Sequence, residues 1–321
     1  MSQNPYYPMI PTILDVDPGV DDALAMLLAL KAEALSVRGI TVVSGNVPVD
    51  RGVRNALGLL DMFGFQDIPV YRGAGRPLVR EPSHAPHVHG LDGMGDVEFT
   101  ASKATPTGDS VDYLVEMLGL HRGELVVVAL GPLTNLALAE ARRPGVLRNA
   151  LKLVIMGGCI RSAGNVTAVS EFNFYADPHA ARAVMGAGAE TLVVPLDVTG
   201  EVGIAGVEIR RLAAAHQTPG TRFLKAASSN ALGFAATTTG TEAIKLHDPT
   251  AVAAAAWPEL FDVERLWLDV EVQGEITAGQ VVADLRPLLD PASRQGRPVS
   301  CCVGVQADVV LERIREMVVG F

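Results

Sequence analysis

Over the first 160 residues, short apolar runs rich in β-branched side chains alternate with stretches of helical periodicity. This alternation restricts the chain to a layered α/β fold. The runs fall at 11–16, 37–43, 124–130 and 151–156, and the helical stretches at 21–33, 49–63, 110–120 and 133–142. A further strand at 191–195 follows a helix at 178–188. Strands that are apolar along their whole length are buried on both faces, which predicts a mainly parallel open sheet covered by helices. Residues 200–256 read as mostly helical, 263–272 alternate with period two as a half-buried strand does, and 307–319 read as an amphipathic helix. At ~150 residues per domain, a chain of 321 has room for two. No repeat, low-complexity tract or long linker divides it, so a single domain over 1–321 is expected.

Hydrophobic residues make up 49% of the chain and charged residues 19%, which excludes a disordered polymer. The formal charge of −10 argues against nucleic acid or an anionic membrane as the principal partner, since both require a basic face. Cys159, Cys301 and Cys302 have no metal-type spacing and form no disulfide framework, which fits a reducing cytoplasm. Residues 1–11 lack the basic and apolar regions of a secretory signal. The longest apolar runs, such as 125–130, fall short of the ~20 residues of a membrane helix.

Two polar, glycine-rich segments, 73–100 and 157–177, show no regular pattern. In an open α/β sheet such loops lie beyond the carboxyl ends of the strands, where ligands bind. The sharpest feature is Asp15-Val16-Asp17-Pro18-Gly19-Val20-Asp21-Asp22-Ala23-Leu24-Ala25. An apolar strand enters a Pro-Gly turn and a helix begins, which gathers four carboxylates at one strand end. Each aspartate taken alone is equally well a helix cap or a ligand of loop amides. Together they repel one another unless a cation binds, and a hard divalent ion takes oxygen ligands. Two chemistries use such a strand end: phosphoryl transfer to an aspartate nucleophile with Mg²⁺, and metal-assisted hydrolysis. The phosphatase pattern Asp-x-Asp-x-Thr is broken here by Gly19.

The cluster resembles the N-terminal signature of the inosine–uridine preferring nucleoside hydrolase family, Asp-x-Asp-Pro-Gly-x-Asp-Asp-Ala-x-Ala. Further blocks are similar to that family in the same order: Gly45-Asn46-Val47, His89-Gly90-Leu91-Asp92-Gly93, Leu130 to Ala137, Met156-Gly157-Gly158, Gly164-Asn165, Glu171-Phe172-Asn173, Asp177-Pro178 and His247-Asp248-Pro249. They span residues 12 to about 256, beyond which no motif matches.

The resemblance implies a nucleoside hydrolase fold with a Rossmann-like core and a Ca²⁺-dependent N-ribohydrolase that releases free nucleobase and ribose. By the family pattern, Asp17, Asp22, Asp248 and the main-chain carbonyl of Leu130 bind Ca²⁺. Leu130 replaces the family's usual Thr, a change that a main-chain ligand tolerates. Asp17 is also the base that takes a proton from the attacking water. Asp21, Asn46, Asn165, Glu171, Asn173 and Asp248 hold the ribose, while Asp15 supports the loop. His247 matches the acid that protonates the departing base. His89 lies near the base pocket, Met156 is read as lining the pocket floor or equally as core, and Phe172 as a further substrate contact. The family is commonly dimeric or tetrameric, so a homo-oligomer is expected.

That chemistry suits these residues, because breaking a ribosyl C–N bond builds positive charge on the sugar and carboxylates stabilise it. Base preference stays open among purine, pyrimidine and modified bases. The segment 228–246 offers Phe234 and several Thr but none of the Tyr and Gln of pyrimidine-preferring members. Three alternatives stand beside the hydrolase: a nucleoside-binding or sensing protein without turnover, a Mg²⁺-dependent phosphatase, and a structural Ca²⁺ protein.

Overall fold

The architecture is taken from a computed structural model that describes residues 9–95, 97, 102–287 and 290–321. Residues 1–8 of the N-terminal segment, and 96 and 98–100 of the first polar loop, lie outside the described residues. Seven strands follow the apolar runs or add to them: β1 (Ile10–Val16), β2 (Leu35–Val42), β3 (Val70–Arg72), β4 (Gly108–Asp109), β5 (Val126–Ala129), β6 (Lys152–Met156) and β7 (Thr191–Val194). Then come β8 (Gly203–Ala205), β9 (Ala243–Lys245), β10 (Phe261–Val270), β11 (Val281–Ala283) and β12 (Arg297–Val305). Among the described residues, ten strands form one sheet in the order β11-β10-β12-β7-β6-β5-β1-β2-β3-β4, and β8 pairs with β9.

From β12 to β4 every neighbouring pair is parallel, while β10 runs antiparallel to both β11 and β12. The mainly parallel α/β sheet read from the sequence is therefore present. The strand order reverses around β1: the chain steps from β1 outward through β2 and β3, then returns so that β5 lies on the other side of β1. A reversal of this kind opens a crevice beyond the carboxyl ends of the strands. Asp17, Leu130 and Met156 stand at the carboxyl ends of β1, β5 and β6.

Successive residues of the central strands enter opposite layers. Leu14, Val128 and Val154 pack with the helices Val20–Lys31, Pro219–Thr239, His247–Ala256 and Ala307–Val319. Ile13, Val127 and Leu153 pack with Ser110–Leu120, Thr134–Arg142 and Pro178–Gly186. The same alternation separates Cys302 and Cys301 into opposite layers, and all three cysteines are free and buried. Helices Val20–Lys31 and His247–Ala256 lie against each other. Fully buried alanines, among them Ala23, Ala251 and Ala253, let the two backbones approach closely. That approach brings the first turns of both helices, with Asp22 and Asp248, to one place.

Three details differ from the sequence reading. The region 200–256 also contains the short β8–β9 pair, and helix Pro86–His89 interrupts the first polar loop. The alternating strand spans Phe261–Val270 rather than 263–272 and is flanked by β11 and β12. The motif-poor region after 256 supplies β10, β11, β12 and the last helix, which complete the sheet and its cover. Among the described residues, no helix is long and apolar enough to cross a membrane.

Candidate active site

The Pro18-Gly19 turn is held by Asp22, three residues into the helix Val20–Lys31. Its Oδ2 accepts from the main-chain N–H of Gly19 at 2.9 Å and its Oδ1 from that of Asp17 at 3.0 Å. The carboxylate thereby satisfies amides that the helix start leaves open. Asn46, after β2, ties the next layer: its Nδ2 donates to Asp22 Oδ2 at 3.1 Å and its main-chain N–H to Asp17 Oδ2 at 2.6 Å. Asp17 Oδ1 is buried with no hydrogen-bond partner among the described residues. Gly45 and Gly131 crowd this carboxyl group, since a Cβ on Gly131 would stand 2.7 Å from Asp17 Oδ1.

Asp15 is fully buried behind them. Its Oδ1 accepts from Thr41 Oγ1 at 2.6 Å and Asn135 Nδ2 at 2.7 Å, and Asn135 Oδ1 accepts from the N–H of Ala74. Asp15 thus joins β1 to β2 and to the start of the first polar loop. Asp21 Oδ2 accepts from the N–H of Asp248 at 3.1 Å, and among the described residues its Oδ1, like Asp15 Oδ2 and Asp17 Oδ1, is a buried oxygen without a partner.

Burial raises the pKa of each of these carboxyls. Asp15 moves from the usual 3.8 to about 7 and Asp21 to about 8, in both cases chiefly through desolvation. Asp17 and Asp248 are pushed well above 3.8, first by burial and then by neighbouring carboxylates. Asp248 feels Asp22, Asp21, Asp17 and Glu171 together, so five carboxyl groups share one electrostatic site. Among the described residues, no Lys or Arg forms an ion pair with any of them.

A second set lies at the ends of β5 and β6. Asn173 Nδ2 donates to the carbonyl of Leu130 at 2.6 Å and to that of Met156 at 3.2 Å, with Met156 Sδ at 3.5 Å. Glu171 caps the short helix Phe172–Ala176. Its Oε1 accepts from Asn173 N, and its Oε2 accepts from Gly158 N and Phe174 N. Asn165 is exposed and is joined to Phe172 through an Oδ1···N bond of 3.0 Å.

Two imidazoles complete the arrangement. His89 Nδ1 accepts from the N–H of Val20 at 3.2 Å, which ties the first polar loop to the acidic turn. His247 Nδ1 lies 2.8 Å from Thr199 Oγ1. Burial lowers both pKa values to about 4, with His87 and His247 adding for His89, and Lys245 adding for His247. Both rings are therefore neutral at pH 7. Of the other loop histidines, His84 Nδ1 is 2.7 Å from the carbonyl of Gly45, and His87 contacts the ring of Phe234.

Asp17, Asp22 and Asn46 form one hydrogen-bonded group, Asp21 and Asp248 a bonded pair that shares its electrostatic field, and Leu130, Met156, Glu171 and Asn173 a further bonded group. Asn165 and Phe172 lie at its outer margin. Among the described residues, however, no three acidic, imidazole or thiol side chains are gathered closely enough to form a ready-made metal cage. Residues overlooked in the sequence are Thr41 and Asn135, which hold Asp15, Thr199 beside His247, and Asp197. Asp197 accepts from the N–H groups of Ile160, Arg161 and Ser162, fixing the second polar loop. Asp197 and Thr199 follow the apolar run at 191–195, and a polar pair just past a strand end was the available signal. A separate surface cavity of about 550 Å³ is lined by Arg182, Asp269, Asp284 and Arg286 and shares no residue with these clusters.

Residues 12–312 match the sequence profile of the inosine-uridine preferring nucleoside hydrolases. The chain belongs to this family and is accordingly a nucleoside hydrolase, an enzyme acting on N-glycosyl bonds. The match continues well past the last motif recognised at His247-Asp248-Pro249. The non-specific ribonucleoside hydrolase RihC of Klebsiella pneumoniae is 36% identical over 301 residues, 94% of each chain. A plant nucleoside hydrolase, the PpNRh1 enzyme, superposes with a TM-score of 0.93 at 34% identity, covering 98% of this chain and 100% of its own. A purine-preferring ribonucleoside hydrolase from Gardnerella vaginalis superposes with a TM-score of 0.89 at 31% identity, covering 97% and 98%.

Proposed function

We propose that the protein hydrolyses the N-glycosidic bond of ribonucleosides to ribose and free base, with Asp17 as general base and a bound divalent cation, Ca²⁺. The observation that carries this reading is the mutually repelling set of buried Asp17, Asp22, Asp248 and Glu171 with half-buried Asp21, without a basic partner among the described residues. Such a site is relieved by a hard cation and by a reaction centre that becomes positive. Asp17, Asp22, Asp248 and the Leu130 carbonyl would supply an all-oxygen donor set, and Asp17 Oδ1, without a partner among the described residues, supports cation binding there. When bound, the cation supplies charge compensation and makes a water more acidic.

The remaining steps are properties of the chain. Asp17 accepts a proton from the attacking water, whose oxygen forms the new bond to C1′ of the ribose. Asp21, whose Oδ1 has an open acceptor position, holds a ribose hydroxyl with Asn46, Asn165, Glu171, Asn173 and Asp248. The carboxylates stabilise the oxocarbenium-like sugar more than its neutral ground state. The C1′–N bond breaks with its electron pair going to the base. A neutral His247 assists by hydrogen bonding to that base, which then takes its proton from solvent. His89, Met156 and Phe172 border the base.

The reading is tested by incubating the protein with inosine, uridine, cytidine and adenosine in phosphate-free buffer. Equimolar ribose and base are expected, and the ranking of the four reports base preference. Absence of ribose from all four would contradict the reading.

A further inference from the structure

We infer that Thr199 is a positioning residue whose hydroxyl donates to Nδ1 of His247, so that the ring carries its N–H at Nε2 and presents it to the leaving base. The inference rests on the role given to His247 above, and it adds the residue that makes that role possible.

Thr199 ends the short helix Leu196–Thr199 and is fully buried. Its Oγ1 lies 2.8 Å from His247 Nδ1, and among the described residues the hydroxyl has no other hydrogen-bond partner. A helical Thr commonly donates to a carbonyl three or four residues back, as Thr250 does to Leu246 at 2.5 Å. Thr199 is turned away from that habit and toward the imidazole. Either atom can be the donor in principle, but the alternatives differ in what they leave unmade. If Nδ1–H donated, the hydroxyl proton would be buried with no acceptor, which carries the full desolvation penalty of that group. If the hydroxyl donates, both its proton and Nδ1 are satisfied, and the remaining oxygen lone pairs are the cheaper loss. A neutral imidazole that accepts at Nδ1 must carry its proton at Nε2.

His89 shows the same arrangement with a donor that permits no ambiguity. The N–H of Val20 can only donate, and it lies 3.2 Å from His89 Nδ1. Both imidazoles of the site are thus bonded at Nδ1 from the protein side, and among the described residues neither Nε2 has a protein partner.

Long-range ¹H–¹⁵N spectra of the full chain labelled at histidine read the tautomer directly, with His247 assigned by its loss in His247→Asn. The wild type and Thr199→Ser are expected to show the Nε2-protonated pattern, and Thr199→Val a mixture of tautomers. A wild-type His247 protonated at Nδ1 overturns the inference whether or not Thr199→Val folds. In kinetics, Thr199→Val is expected to lower kcat on inosine or uridine by up to the roughly 10²-fold that a positioned hydrogen-bond donor supplies. Its KM stays near wild type, and Thr199→Ser restores the rate. On 4-nitrophenyl β-D-ribofuranoside, whose leaving group departs without such help, the rate is expected to be unchanged. Equal losses on both substrates overturn the positioning role. The spectrum reports on Thr199 even in a protein that releases no ribose, so failure of this inference and failure of the proposed reaction are distinguishable.

Discussion

Gly45 leaves no room for a side chain beside Asp17: a Cβ there would stand 2.0 Å from Asp17 Oδ2 and 2.7 Å from its Cγ. The glycine lets the main chain of the loop after β2 come up against the carboxylate, so that the next N–H, from Asn46, bonds it at 2.6 Å. Gly45→Ala must push this carboxylate aside. Displacement of a reacting group by about 1 Å costs on the order of 10²-fold in rate. Ribose release by Gly45→Ala should fall by that order while far-UV circular dichroism stays at the wild-type level. Wild-type kinetics in this variant would remove Asp17 from the reaction.

The buried carboxyls also fix a pH dependence. Asp15 and Asp21 titrate at about 7 and about 8 in the folded chain against 3.8 when exposed. Between these values the native state binds more protons than the unfolded state, so stability is highest below the unfolded value and falls as pH rises through the folded one. The chelated protein should therefore lose thermal stability progressively between about pH 4 and pH 8. Added Ca²⁺ should raise Tm more at pH 8 than at pH 5, because a cation interacts with the ionised cluster. Differential scanning fluorimetry across this range decides the point, and a Ca²⁺ effect independent of pH would contradict the assignment of the cluster as a cation site.

Glu171 has both oxygens filled by three main-chain N–H groups. In Glu171→Gln the amide NH₂ faces at least one of these donors, and a buried hydrogen bond lost in this way costs about 1–3 kcal/mol. Urea unfolding should show a loss of this size, and ribose release should fall with it as the loop at Gly157-Gly158 loosens. An unchanged midpoint would mean that Glu171 does not anchor that loop.

Ribose recognition gives a fourth expectation. Asp21 Oδ1 is a buried acceptor without a donor among the described residues, and a sugar hydroxyl is a donor of the right kind. A site built to bond a hydroxyl rejects the analogue lacking it by on the order of 10⁴-fold. The ratio of kcat/KM for uridine over 2′-deoxyuridine should approach that figure, whereas comparable values would sink the proposed grip on the ribose.

The parts of the fold and site that were legible in the sequence are those whose causes are local. The strand, the Pro18-Gly19 turn and the helix that gathers Asp17, Asp21 and Asp22 occupy a dozen successive residues, and Asp22 reaches its amide partners within five. The parallel core was readable because strands buried on both faces are apolar throughout. Other features depended on contacts across the chain. The proximity of Asp248 to Asp22 follows from alanines on two helices more than two hundred residues apart. The bond from Thr199 to His247 links positions that share no motif. The strands β8 and β9 have three residues each, too few for a period to register. The double use of Asn173, whose amide donates to the Leu130 carbonyl expected to face the cation, was likewise outside what spacing can show.

Whether Asp17 activates water within a cation-dependent carboxylate cluster is read most directly from single-turnover release of ribose from uridine. The wild type is compared with Asp17→Asn, each with Ca²⁺, with chelator, and with Ca²⁺ restored. The wild type should release ribose, stop on chelation and recover when Ca²⁺ is added back. Asp17→Asn, which keeps the acceptor for the Asn46 N–H but not the base, should remain at least roughly 10²-fold slower in every condition. Ribose release by Asp17→Asn at the wild-type rate, or by the wild type undiminished in chelator, would contradict this assignment.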